Sequence, residues 1–137
     1  MRSAILARSF ACAIVCLNLG GAARLPSAEP APKALAMLEH GEWMLKDRET
    51  GEDIQRICLG DTRQLLKIRH NRDSCTRFVV TDEKGRVSVT NDCGSAGNER
   101  TDIRIETPRL FQLQSQGIAD GAPFARMIEG RRVGACR

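Results

Sequence analysis

The stretch Ser74-Cys-Thr-Arg-Phe-Val-Val-Thr-Asp-Glu-Lys-Gly-Arg-Val-Ser-Val-Thr-Asn-Asp-Cys93 decides how this chain folds. Two β-prone runs, Thr76–Thr81 and Arg86–Asn91, flank a turn-like Asp82-Glu83-Lys84-Gly85. Positions 75 and 93 are symmetric about Lys84. A three-residue loop of Glu83, Lys84 and Gly85 uses the glycine at its left-handed position. Asp82 then faces Arg86, Val79 faces Val89, and Cys75 faces Cys93. Counted outward, the two cysteines fall on a non-hydrogen-bonded site. There the Cα atoms approach to about 4.5 Å, within reach of a disulfide.

The flanking sequence sets the compartment. Met1-Arg2 and Arg8 give a positive start, Phe10–Leu19 is apolar, and Gly20-Gly21-Ala22-Ala23 suits signal peptidase. Cleavage after Ala23 is expected, making 1–23 a removed signal peptide and leaving 114 of the 137 residues. The apolar run is too short to span a bilayer and no second one follows, so no transmembrane segment is expected in the mature chain. Cys12 and Cys16 leave with the leader, and Cys58, Cys75, Cys93 and Cys136 remain. An even count behind a secretory signal reads as two disulfides. Hairpin geometry selects 75–93, and elimination gives 58–136. There is no Cys-x-x-Cys, and His40 and His70 sit at no ligand-like spacing, so neither a metal nor any other cofactor is expected.

The mature part keeps 15 Arg and 4 Lys against 17 Asp and Glu, with the signs interspersed. That is a solvated mixed surface, not a nucleic-acid stripe. Its aromatics are Trp43, Phe78, Phe111 and Phe124, too few for a base-stacking platform.

Along the chain, residues 24–40 read as a linker in which Pro32 opens a short helix through Glu39. A single β domain follows over 41–137. Its first two strands are Gly41–Arg48 and Asp53–Leu59, with Trp43 and Leu45 on one face. Asp61 caps a helix over Thr62–His70 that Asn71 stops. After the central hairpin, Gly94–Asn98 reads as a loop and Thr101–Thr107 alternates, with Ile103 and Ile105 inward. Leu110–Ser115, a loop over Gly117–Pro123 and a last strand Phe124–Glu129 complete the pattern. The expected fold is all-β: an antiparallel meander of about seven strands, curled or closed into a small barrel.

Several landmarks also resemble a known family. Gly41-Glu42-Trp43, Ile57-Cys58-Leu59, Cys75, Cys93 and Gly130-Arg-Arg-Val-Gly-Ala-Cys136 are similar to the secreted proteobacterial domain of unknown function 3617. That resemblance implies export and a β-rich fold, in a Gram-negative periplasm or beyond, and carries no assigned activity. The chain departs from it in having charged residues around Asn98–Asp102 and Gly117–Ala125.

No nucleophile motif of the Gly-x-Ser-x-Gly or Ser-x-x-Lys kind occurs, and no enzyme activity is expected. The acid pairs Glu52/Asp53 and Asp82/Glu83 stand at turns, where such neighbours are solvated. Trp43 reads as a core plug at the sheet end or as the floor of a ligand cavity. Arg131 and Arg132 read as an anion clamp, or as one exposed arginine and one packed against the sheet. Two function classes follow. One is a non-catalytic module for a small or lipidic ligand; the other is an envelope protein that binds proteins or inhibits them through Gly94–Arg100 or Gly117–Pro123.

Overall fold

The structure, a computed structural model, describes residues 30–69 and 75–137. The leader, Cys12, Cys16, His70 and Asn71 lie outside those residues. Seven antiparallel strands form one sheet: β1 (Gly41–Asp47), β2 (Asp53–Leu59), β3 (Thr76–Glu83), β4 (Arg86–Asp92), β5 (Gly97–Thr107), β6 (Leu110–Ala119) and β7 (Ala122–Gly134). Their order is β2-β1-β7-β6-β5-β4-β3. Strands β3 to β7 make the meander, and the β1–β2 hairpin extends it beside β7. The outer strands β2 and β3 do not pair with each other, so the sheet is open and not a barrel.

Both disulfides form as the cysteine arithmetic requires. Cys75 and Cys93 lie 4.2 Å apart at Cα, and Cys58 joins Cys136. The second bridge ties edge strand β2 to the tail beyond β7, across the end of the intervening β1.

The central hairpin closes more tightly than a three-residue loop. Glu83 pairs with Arg86, and Lys84-Gly85 form the turn with Gly85 at φ 74°. Asp82 therefore faces Val87, not Arg86. A bulge leaves Val80 without a partner, which restores Val79 opposite Val89. The extra residue sits in the strand instead of the turn.

Alternation along the later strands divides the sheet into two faces. The inner face carries Trp43, Leu45, Leu59, Val87, Val89, Ile103, Ile105, Phe111, Leu113 and Ile128, all buried. Two single-turn 3-10 helices cover part of it: η1 (Lys33–Met37) and η2 (Thr62–Leu66). Asp61 caps η2 as expected, accepting from the Arg63 backbone N–H, but the helix ends at Leu66, short of His70. Residues 32–38, assigned to a linker, are part of the core: Leu35 and Leu38 are buried, and Asp82 accepts hydrogen bonds from the backbone N–H of Lys33 and Ala34. A Pro-rich stretch reads as linker only while the strand-borne carboxylate that docks it is unknown.

The two stretches expected to be loops are largely strand. Gly97–Arg100 belongs to β5, Gly117–Ala119 to β6 and Ala122–Pro123 to β7. Only a short 3-10 turn, η3 (Gly94–Ala96), and the Asp120-Gly121 turn remain outside the ladder. The glycines there allow close approach: a Cβ on Gly97 or Gly117 would meet the Ile118 or Asn98 carbonyl oxygen at 1.9 and 2.0 Å. Glycine marks tight backbone contact here, where the bare sequence suggested a loop.

Candidate functional site

Trp43 is fully buried, its ring centroid 5.2 Å from that of Phe111, and its indole N–H donates to the Glu39 carbonyl. Its described contacts are packing contacts within the core, and it lines neither of the hollows described below. Phe111 in turn lies over Gly130, where a Cβ would come within 2.1 Å of the ring.

Arg131 and Arg132, adjacent on β7, project to opposite faces, so they do not clamp one anion together. The Arg131 Nε is 2.6 Å from Glu129 Oε1 on the outer face. Arg132 donates through Nε to the His40 carbonyl at 2.9 Å and lies 3.5 Å from Glu39 Oε2. Its guanidinium would also collide with any Cβ on Gly41. Gly41-x-Trp43 and Gly130-Arg-Arg are thus two halves of one packing unit: a glycine under Arg132, a glycine under Phe111, and Trp43 between them. Cys58, Cys75, Cys93 and Cys136 are all in bridges, so none offers a thiol.

Two concave regions lie elsewhere. The first, about 340 Å³, is on the outer face among Arg48, Arg86, Asp102, Arg104, Gln112 and Gln114. Its charges are internally matched. Arg104 pairs with Glu106, and the Arg100 guanidinium, aided by the Ser88 hydroxyl, holds the Asp102 carboxyl below its ordinary range. Gln112 donates to Glu129, whose pKa is likewise lowered, first by Arg131 and then by Gln112. This is a sheet face laced with ion pairs between residues two apart on the same strand, and Ile103, Leu113 and Met127 complete its lining.

The second region is on the inner face, where the two 3-10 helices leave the sheet uncovered. Two adjoining hollows of about 190 and 180 Å³ share Leu45, Gln55 and Ile68. Together they form a groove between the η2 tail and the β2-β1-β7 part of the sheet. Leu45, Ile57, Leu65, Phe124 and Ile128 line it, together with the uncharged polar Gln55, Gln64 and Ser115. Lys67, Arg69 and Arg126 also line it, and no carboxylate is among the described lining residues.

Local bonds hold this groove open. The buried Asn91 Nδ2 donates to the Leu66 carbonyl, and Gln64 Nε2 donates to the Cys58 carbonyl, fixing η2 at both ends. Arg69 lies over Phe124 with its guanidinium carbon 5.8 Å from the ring centroid. Behind the groove wall the buried Glu99 accepts from Ser115 Oγ at 2.5 Å and from Thr101 Oγ1 at 3.4 Å.

None of the groove residues stood out in the sequence. Phe124 and Arg126 follow a stretch read as loop, and Lys67 and Arg69 fall within the helix expected over Thr62–His70. The usable signal was the partial apolar face of Leu65, Leu66 and Ile68, which is too short to cover a sheet.

Among the described residues no cluster of three or more His, Cys, Asp or Glu suits a metal ion. Among them, too, no helix is long and apolar enough to cross a membrane. No protein-family model, curated protein or solved structure matches this chain.

Proposed function

We propose that this protein is a non-catalytic binding module, and that its ligand is a single-chain amphiphile with an anionic head. One observation carries the reading: an inner-face groove lined mainly by apolar side chains, with three cationic side chains and no carboxylate among its described lining residues. Burying an alkyl chain on Leu45, Ile57 and Ile128 gains roughly 0.8 kcal/mol per methylene. Arg69, Arg126 and Lys67 then attract the head by charge, and Arg offers a carboxylate two parallel N–H donors. The two hollows together reach the lower range of small-molecule sites, which suits a medium-length chain. Two disulfides fit an oxidising compartment outside the cytoplasm, where such amphiphiles are met at membranes.

Titration calorimetry and NMR shift mapping with decanoate and decyltrimethylammonium test this. Decanoate is expected to bind and to shift Leu45, Ile68 and Phe124, and Arg126→Glu to weaken it about tenfold. Equal affinity for the cationic amphiphile, or shifts confined to the outer face, would overturn the proposal.

A further inference from the structure

Among the described residues strand β3 is an edge of the sheet and pairs only with β4. Along it Phe78, Val79 and Val80 are consecutive and exposed at 58, 45 and 54 %. An unpaired edge with three large apolar side chains in water is a feature that soluble proteins usually blunt with charge or cover with a partner. Strand β2, the opposite edge, instead alternates acidic, polar and basic residues (Asp53, Gln55, Arg56) with its apolar ones.

The charges on β3 decide what fits. Arg77 pairs with Asn91 and Asp82 with Val87; Asn91 and Val87 are four residues apart on the unbroken β4, so both lie on its inner face. The bulge at Val80 produces this match, because without it Arg77 and Asp82 would fall on opposite faces. Phe78 and Thr81 share the outer face for the same reason, opposite Thr90 and Ser88. The strand is therefore marked by a cation near one end and an anion near the other on one face. A second copy laid antiparallel, about a two-fold axis between Val79 and Val80, sets Arg77 of each strand across from Asp82 of the other. It also sets Phe78 across from Thr81. A parallel arrangement would oppose like charges.

We infer that this protein self-associates into a two-fold dimer by antiparallel pairing of β3 edges, centred between Val79 and Val80. The contact is isologous, so it closes after two copies and leaves no free β3 edge to propagate. Asp82 is held in place by the Lys33 and Ala34 backbone N–H groups, so η1 presents the anion on a fixed support. Phe78 and its mate then cover the exposed apolar run from both sides of the axis. The inner-face groove lies at the other end of the sheet, around β2, β1 and β7, and stays open in the dimer.

Light scattering coupled to size exclusion, across a concentration series of the disulfide-bonded chain, is the first measurement, and a dimer is expected. Amide exchange is expected to slow with concentration in β3 and not in β2. Two variants then test the register. Phe78→Glu with Thr81→Glu, and Phe78→Lys with Thr81→Lys, each place two like-charge pairs across the axis, and each is expected to weaken self-association at least about tenfold. Mixing the two converts both pairs to opposite charges and is expected to restore a heterodimer. Val80→Lys, which leaves the outer-face pairs untouched, is expected to be monomeric, with a urea midpoint independent of concentration and equal to that of wild type diluted to monomer. A wild-type chain that is monomeric at every soluble concentration would overturn the inference. So would self-association that survives in the acidic variant, or a mixture that fails to associate. β3 exchange that slows only when detergent is added, with the protein still monomeric, would assign the patch to amphiphile binding and equally overturn it.

Discussion

Replacing Gly130 by alanine probes the packing unit that the terminal Gly-Arg-Arg motif builds. Gly130 has no positive φ, so its strand backbone accepts a side chain. On backbone grounds alone the change would stabilise by about 0.4–1 kcal/mol through the unfolded state. The added Cβ, however, falls 2.1 Å from Phe111 Cζ and 2.3 Å from Cε1. Relief requires the ring to move by more than 1 Å, roughly, to reach ordinary contact distance; such overpacking costs about 1–3 kcal/mol. Phe111 is fully buried against Trp43, so it has no free volume to move into and the cost lies at the upper end. The net expectation is destabilisation of about 2–2.5 kcal/mol. Trp43 is the chain's one tryptophan, so its fluorescence during urea unfolding reports on this contact directly. The decisive comparison is a double-mutant cycle with Phe111→Ala. That truncation alone should cost about 3–5 kcal/mol. In its background Gly130→Ala should become neutral or slightly stabilising, a coupling of about 1–3 kcal/mol. An additive cycle, or a neutral Gly130→Ala in the wild-type background, would refute the reasoning.

Three further outcomes are expected. Removing the Cys58–Cys136 bridge by a double serine substitution should cost about 4.5 kcal/mol, against about 3 kcal/mol for Cys75–Cys93, because the closed loops differ (sequence separations 78 and 18); equal urea midpoints for the two variants would contradict the loop-entropy account. Gly85→Val should destabilise more than Lys84→Ala, since φ is 74° at position 85 and a Cβ there meets the Ile105 carbonyl oxygen at 3.3 Å, and thermal melts of the pair check this. The Asp82 carboxyl is held below its ordinary range, first by the Ala34 backbone N–H and then by that of Lys33. A depressed folded-state pKa contributes stability above the unfolded value and loses it as pH falls through the folded value. Asp82→Asn should therefore flatten the stability profile on the acid side of pH 4, roughly, and a profile parallel to wild type would remove this carboxylate from the account.

Much of the architecture was legible because it rests on short-range rules. Alternation located the Thr101–Thr107 strand, β-prone runs between turn residues located the interiors of the others, Gly85 marked the hairpin, and cysteine counting with hairpin symmetry paired all four bridged residues. What escaped was whatever depends on a partner distant in sequence. Gly97, Gly117 and Gly130 resemble breakers or loop residues until the backbone or ring they admit is known. The same holds for Leu35, apparently in a linker, which is buried only because Asp82 of β3 holds η1 against the sheet. The bulge at Val80 left no mark, since a two-residue turn with a bulge and a three-residue loop bring Val79 to the same mate. The groove was harder still. It is defined by where two short helices fail to reach, and Phe124, Arg126, Lys67 and Arg69 meet only across that gap. Trp43, the most conspicuous residue, packs within the core and lines neither hollow.

The placement of β1 beside β7 has a kinetic consequence. Strands β3 to β7 pair with sequence neighbours and need only local turns to form, so they can zip in order. Strand β1 must wait. Its mate on the inner side of the sheet is the last strand synthesised, and the loop to be closed spans most of the chain. The β1–β2 hairpin, first to emerge from the ribosome, is thus among the last pieces to dock. Until it does, Trp43 has no Phe111 to rest on and Cys58 has no fixed partner. Formation of the Cys58–Cys136 bond is therefore a timestamp for the completed fold, whereas Cys75–Cys93 closes as soon as its own hairpin does.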